Sequence, residues 1–197
     1  MNEVIVQGMP ESLRRYITED CSIPASSFNL MPGDSLPDPA RKLMYHHDDM
    51  TTTLASYYGS EIYIDKIQSI ERGDVYLREV FLRTKNTDTV VEYGVIAIVL
   101  DSFDEEHRKV IEADHAPFGG LLHQFKIDFK SAPVCFFAIS AEYLVDTPFK
   151  DLEGHTFYGR INQFLEPMDR PWRGSWKFSQ KRTISSPAQS EPLIFLL

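Results

Sequence analysis

From residue 61 onward, hydrophobic and polar positions fall into short runs with the period of a strand or of a helix. "EIYIDKIQSI" (61–70) alternates apolar and polar residues, as a half-buried strand does. "VYLREVFLR" (75–83) and "TVVEYGVIAIVL" (89–100) are richer in β-branched and aromatic residues. The polar turn "TKNTD" between them predicts an antiparallel hairpin. "PVCFFAISAEYL" (133–144), "TFYGRINQFLE" (156–166), "WRGSWKFSQKR" (172–182) and "PLIFLL" (192–197) add further strands, the second and third as a hairpin around "PMDRP". Helical spacing appears in "HDDMTTTLASYYG" (47–59), with Asp48 or Asp49 as N-cap and Gly59 just past the end. "DSFDEEHRKVIEAD" (101–114) predicts a helix capped by Asp101 or Ser102, and "APFGGLLHQF" (116–125) a short one. Its Gly119 and Gly120 permit close backbone approach. Six or seven strands with a few short helices make an α+β, antiparallel layout.

The first 40 residues differ. Pro10, Pro24, Pro32, Pro37 and Pro39 interrupt any long helix, leaving a short one in "PESLRRYITE" and a wandering surface segment or lid in "NLMPGDSLPDPA". The expected division is an N-terminal extension, 1–40, and a domain, 41–197. Charge changes the picture only slightly. A formal net charge of −9 argues against nucleic acid or an anionic membrane as partner, but not against an anionic small ligand. No stretch reads as a signal peptide or a membrane span, and Cys21 and Cys135 suggest no disulfide framework. A cytoplasmic chain with reduced thiols is expected.

The position that asks for chemistry is Arg78. It shares a strand face with Tyr76, Val80 and Leu82, while Glu79 points to the other face. A guanidinium among apolar neighbours needs a partner. One reading is structural, a pair with Glu92 on the next strand or an arginine reaching the sheet edge. The other is functional, a planar bidentate grip on a ligand carboxylate. Elsewhere, "HHDD" (46–49) lacks metal-ligand spacing, and His115 and His123 flank the short helix. Tyr57, Tyr58, Tyr93 and Tyr158 are candidate hydrogen-bond donors or core aromatics.

The stretches "DDMTTTLASYYG", "VYLREVFL", "VVEYGVIAIVLDSF", "APFGGLLH" and "FYGRINQF" resemble, in order and spacing, motifs of the chorismate lyase family and its broader lyase-like group. The resemblance covers roughly residues 41 to 180. It implies a six-stranded antiparallel sheet with helices covering one side and an internal ligand pocket. The implied activity is cofactor-free, using no metal: elimination of pyruvate from chorismate, or a related lyase, dehydratase or cyclase step of secondary metabolism. A ligand-sensing module without catalysis is the alternative on the same fold. Carried over by position, Arg78 would grip the ring carboxylate. Met50, Gly94, Phe118 and Gly119 would line the pocket, with Trp176 as a further substrate contact; Tyr58 and Tyr158, by their own placement before and within a strand, are the tyrosines best placed to join them. The family glutamate of the last hairpin falls here on Trp176 or Lys177, neither a carboxylate, so Glu92 is the candidate acid. The partner is a small, anionic molecule met by a monomer or homodimer.

Overall fold

A computed structural model of the protein describes residues 9–144, 149 and 154–164, and the backbone of 165, 171–182 and 194–196. The helices are α1 (Glu11–Arg15), α2 (Ala40–Met44), α3 (Met50–Tyr58), α4 (Glu105–Glu112) and α5 (Phe118–Gln124). The strands are β1 (Asn29–Met31), β2 (Ile62–Arg72), β3 (Val75–Thr84), β4 (Val90–Val99), β5 (Lys130–Ser140), β6 (Thr156–Leu165), β7 (Pro171–Arg182) and β8 (Ile194–Leu196).

The fold is α+β. Strands β2, β3 and β4 form one antiparallel unit and β1, β5 and β6 another. The backbone of β7 and β8 lies between them, in the order β1-β5-β6-β7-β8-β4-β3-β2. A six-stranded sheet is therefore not what the strand order gives. One extra strand, β1, comes from the segment expected to wander, where Asn29 pairs with Ala138 and Met31 with Phe136.

Local chemistry explains the helix ends. The Asp49 side chain accepts from the Thr52 backbone N–H and starts α3, and Gly59, at φ 59°, ends it in the left-handed region. Helix α4 is capped by Asp104, which accepts from the His107 backbone N–H at 2.9 Å. Asp101 and Ser102, the expected caps, lie instead in a 3₁₀ turn, Leu100–Ser102, that ends β4 and tucks Phe103 into the core.

Both faces of the central strands are covered. Tyr76, Ile96 and Ile98 pack with Ile111, Phe118 and Leu122 of α4 and α5, while Val80 and Leu82 pack with Met50 and Leu54 of α3. On the opposite face Leu77, Phe81, Tyr93 and Val95 pack with Leu13, Tyr16 and Ile17. The N-terminal segment thus supplies the second cover, where helices on one side only were expected. Tyr16 belongs to a π-helical turn, Tyr16–Asp20, that prolongs α1. No helix among the described residues is long and apolar enough to cross a membrane.

Candidate functional site

Strand β3 positions Arg78 opposite Ile96 of β4, on the face beneath α3 and α5. Its side chain is 2% exposed. The same face carries Gly94, opposite Val80, and Glu92, opposite Leu82. Four positions of pleated strand, about 13 Å at 3.3 Å per residue, separate Arg78 from the level of Glu92. The Arg78–Glu92 pair, one of the structural alternatives, is not formed. The acid comes from Asp114, just beyond α4, whose Oδ1 accepts from Arg78 Nη1 at 3.0 Å. Asp114 has φ 55°, a left-handed conformation that Asp tolerates better than most residues, and this turns its carboxylate back onto the sheet.

Asp114 is the hub of a small network. Its Oδ2 accepts from the Tyr76 hydroxyl at 2.6 Å and faces Lys66 Nζ at 2.9 Å. Burial, reinforced by the bond to Asp114, pushes the Tyr76 phenol up to about 12, so it stays a donor. Two cations, Arg78 and Lys66, share one carboxylate. Arg78 Nε has no hydrogen-bond partner among the described residues, although it is buried. A buried N–H left without a partner costs about 1–3 kcal/mol, more for a charged group.

Arg78, Glu92, Gly94 and Phe118 line one cavity with Thr51 and Ile64. Its volume is about 20 Å³, room for about one water molecule. Phe118 and Met50 are 1% and 3% exposed. Met50 packs on Val80 and Leu82 beside the cavity. Gly119 approaches Asp49 so closely that a Cβ there would sit 2.2 Å from Asp49 Oδ1, so this glycine joins the start of α5 to the start of α3. At Gly120 a Cβ would meet nothing within 4 Å.

Two expected site residues lie elsewhere. Tyr58 is half-buried, packed at the α3–β2 side with its ring against Tyr57. Tyr158 packs with Leu36, Met44 and Phe136, away from the cavity. The backbone of Trp176 runs in β7 between Ala97 and Gln163, and its side chain lies outside the described residues.

Arg160 is the functional candidate that the sequence reading passed over. It is fully buried, and its Nη1 donates to the carbonyls of Met44 and His46, each at 3.0 Å. Burial pulls its guanidinium down to about 10, against the opposing charges of Glu92, Asp49 and Asp48, so it is cationic at neutral pH. Its Nε and Nη2 have no hydrogen-bond partner among the described residues. The signal was present in "FYGRINQF": the alternation that turns Tyr158 toward the helices turns Arg160 the same way. Asp114 carried no comparable signal.

Among the described residues no group of His, Cys, Asp and Glu could hold a metal ion. The comparisons with known proteins add no relative: no protein-family model matches this chain, and no curated protein does.

Proposed function

We propose that the protein is a cofactor-free enzyme of chorismate lyase-like type. It would bind a small carboxylated molecule between α3, α5 and the β3–β4 face. The observation that carries this reading is Arg78: a buried guanidinium that lines the cavity, fixed through Nη1 by Asp114 and with no partner for Nε among the described residues. The ligand carboxylate meets the Nε edge, and Glu92, on the same cavity wall, is the acid available to the reacting end. At about 20 Å³ the cavity is closed to a ring-bearing ligand, so binding requires α3 and α5 to part. The enclosure then strengthens the electrostatic grip by excluding water.

The test is incubation with chorismate, following pyruvate and 4-hydroxybenzoate, with calorimetric titration of 4-hydroxybenzoate alongside. Turnover is expected in the wild type. In a folded Arg78→Lys variant affinity falls about 10- to 100-fold, the loss of a charge-assisted bond. Glu92→Gln keeps binding and loses turnover. Absence of both binding and turnover sinks the chorismate assignment. A second reading, a ligand-binding protein without catalysis, is favoured by Trp176 and Lys177, which stand where the family has its glutamate. Binding without turnover selects it.

A further inference from the structure

Strand β2 ends the strand order, and among the described residues β3 alone pairs with it. It is eleven residues long, and Ile67 and Ile70 are 41% and 38% exposed. A long, partly apolar edge is a template for another strand.

Its sequence bears on which strand that is. Across "DKIQSIER" (65–72), acid and base mirror one another: Asp65 against Arg72, Lys66 against Glu71. Residues directly opposed in an antiparallel pair share a face, and a two-fold axis through the sheet keeps every residue on its own face. In a regular strand this mirror fails. Asp65 and Arg72 are seven positions apart, and Lys66 and Glu71 five, so each pair would point to opposite faces.

A bulge at Ile67 restores the phase. The register passes from Lys66 opposite Val80 to Gln68 opposite Glu79, leaving Ile67 without a counterpart in β3. Asp65, opposite Phe81, and Arg72, opposite Val75, then share one face. Lys66, opposite Val80, and Glu71, opposite Tyr76, share the other. Bulges commonly blunt an edge; this one brings its charges into register with a second copy of itself.

We propose that the β2 edge is the interface of a homodimer, with two copies antiparallel about a two-fold axis at Ser69. Lys66 faces Glu71 of the partner subunit, Asp65 faces Arg72 of the partner subunit, and Ile70 meets the bulge at Ile67. Each ion pair occurs twice, as an isologous contact requires. Three of these residues already touch intramolecular partners: Lys66 with Asp114, Asp65 with Arg83, Arg72 with Asp20. Lys66, Asp65 and Arg72 are nevertheless 43%, 45% and 28% exposed, so each side chain reaches solvent at the edge and can share its charge with a partner subunit.

The register makes a specific test. Lys66→Glu alone sets like charges opposite one another in the homodimer, and so does Glu71→Lys alone. In the mixture, the glutamate introduced by the first substitution meets the lysine introduced by the second. The unchanged Glu71 of the first variant meets the unchanged Lys66 of the other, so both contacts are restored. Sedimentation equilibrium is expected to give a dimer for the wild type, monomers for each variant alone, and a heterodimer for the mixture. Circular dichroism checks that each variant is folded, and Asp65→Arg with Arg72→Asp supplies a second mixed pair remote from Asp114. A wild type that stays monomeric, variants that dimerise alone, or folded variants whose mixture does not associate would overturn the proposal.

Discussion

A single carboxylate decides how Arg78 behaves. Asp114 is 4% exposed at its side chain and serves Arg78, Tyr76 and Lys66 together. Removing one partner of a buried ion pair leaves the other uncompensated, at about 3–5 kcal/mol. Asp114→Ala is therefore expected to lower stability by about that much, read from urea unfolding midpoints. Lys66 reaches the same carboxylate from the surface, 43% exposed, and Lys66→Met should cost at most about 1 kcal/mol. Equal losses for the two would mean that Arg78 is not held by Asp114 in solution. The environment of Arg78 was only half legible in the sequence. Alternation showed that Arg78 and Glu79 point to opposite faces of the strand, so that Glu79 is not its partner. Its partner depended on where the chain turns after α4, and Asp114 sits 36 residues away at a backbone angle that no periodicity encodes.

At the scale of elements, α3 and α5 meet at one crowded point. A methyl group on Gly119 would collide with Asp49 Oδ1, the carboxylate that caps α3. Gly119→Ala is expected to destabilise the fold by about 1–3 kcal/mol, as overpacking does, whereas the control Gly120→Ala, inside the same helix with nothing to collide with, is expected to stabilise it by about 0.4–1 kcal/mol. The glycine pair was visible in the sequence, but which of the two is crowded was not. The loop between α2 and α3 carries a pH dependence. His46 Nε2 donates to the Leu43 carbonyl at 2.7 Å, and its Nδ1 accepts from the Asp48 backbone N–H at 3.1 Å. That arrangement needs the neutral ring. Burial, then the charge of Arg160, pulls the imidazole below its ordinary value. Between the folded value and about 6.5 the unfolded chain binds the proton that the folded chain refuses, so stability rises with pH in that window. Melting temperature should therefore fall as pH drops below about 6.5, and the slope should flatten in His46→Gln, whose amide keeps both hydrogen bonds without titrating.

For the whole molecule, the strands were the legible part. β3 and β4 are buried on both faces and announce themselves by apolar density, and their hairpin follows from the polar turn between them. The role of the first 40 residues was harder to read. Their prolines suggest an appendage, and nothing local shows that Leu13, Tyr16 and Ile17 will meet strands more than 50 residues away. In the structure these residues are at most 1% exposed, packed on Leu77, Phe81 and Tyr93. Tyr16 also donates to Glu79 at 3.3 Å, and Gln68 donates to the same carboxylate at 2.7 Å. Glu79 is buried on the face that points away from the cavity, and the Tyr93 hydroxyl donates to it as well, so three donors compensate the carboxylate. Removing the segment strips a cover from the sheet and takes a donor from a buried carboxylate in one step. Burying a large aliphatic or aromatic side chain is worth about 1.5–3 kcal/mol, so three of them amount to much of a domain's net stability. A chain beginning at residue 41 is therefore expected to lose cooperative unfolding and to bind a hydrophobic dye such as ANS. Full-length protein carrying Tyr16→Phe should stay folded with a modest loss, about 1–2 kcal/mol for one buried hydrogen bond. If the shortened chain melts as sharply as the whole one, the N-terminal segment is an appendage after all and the sheet is stable with one face bare.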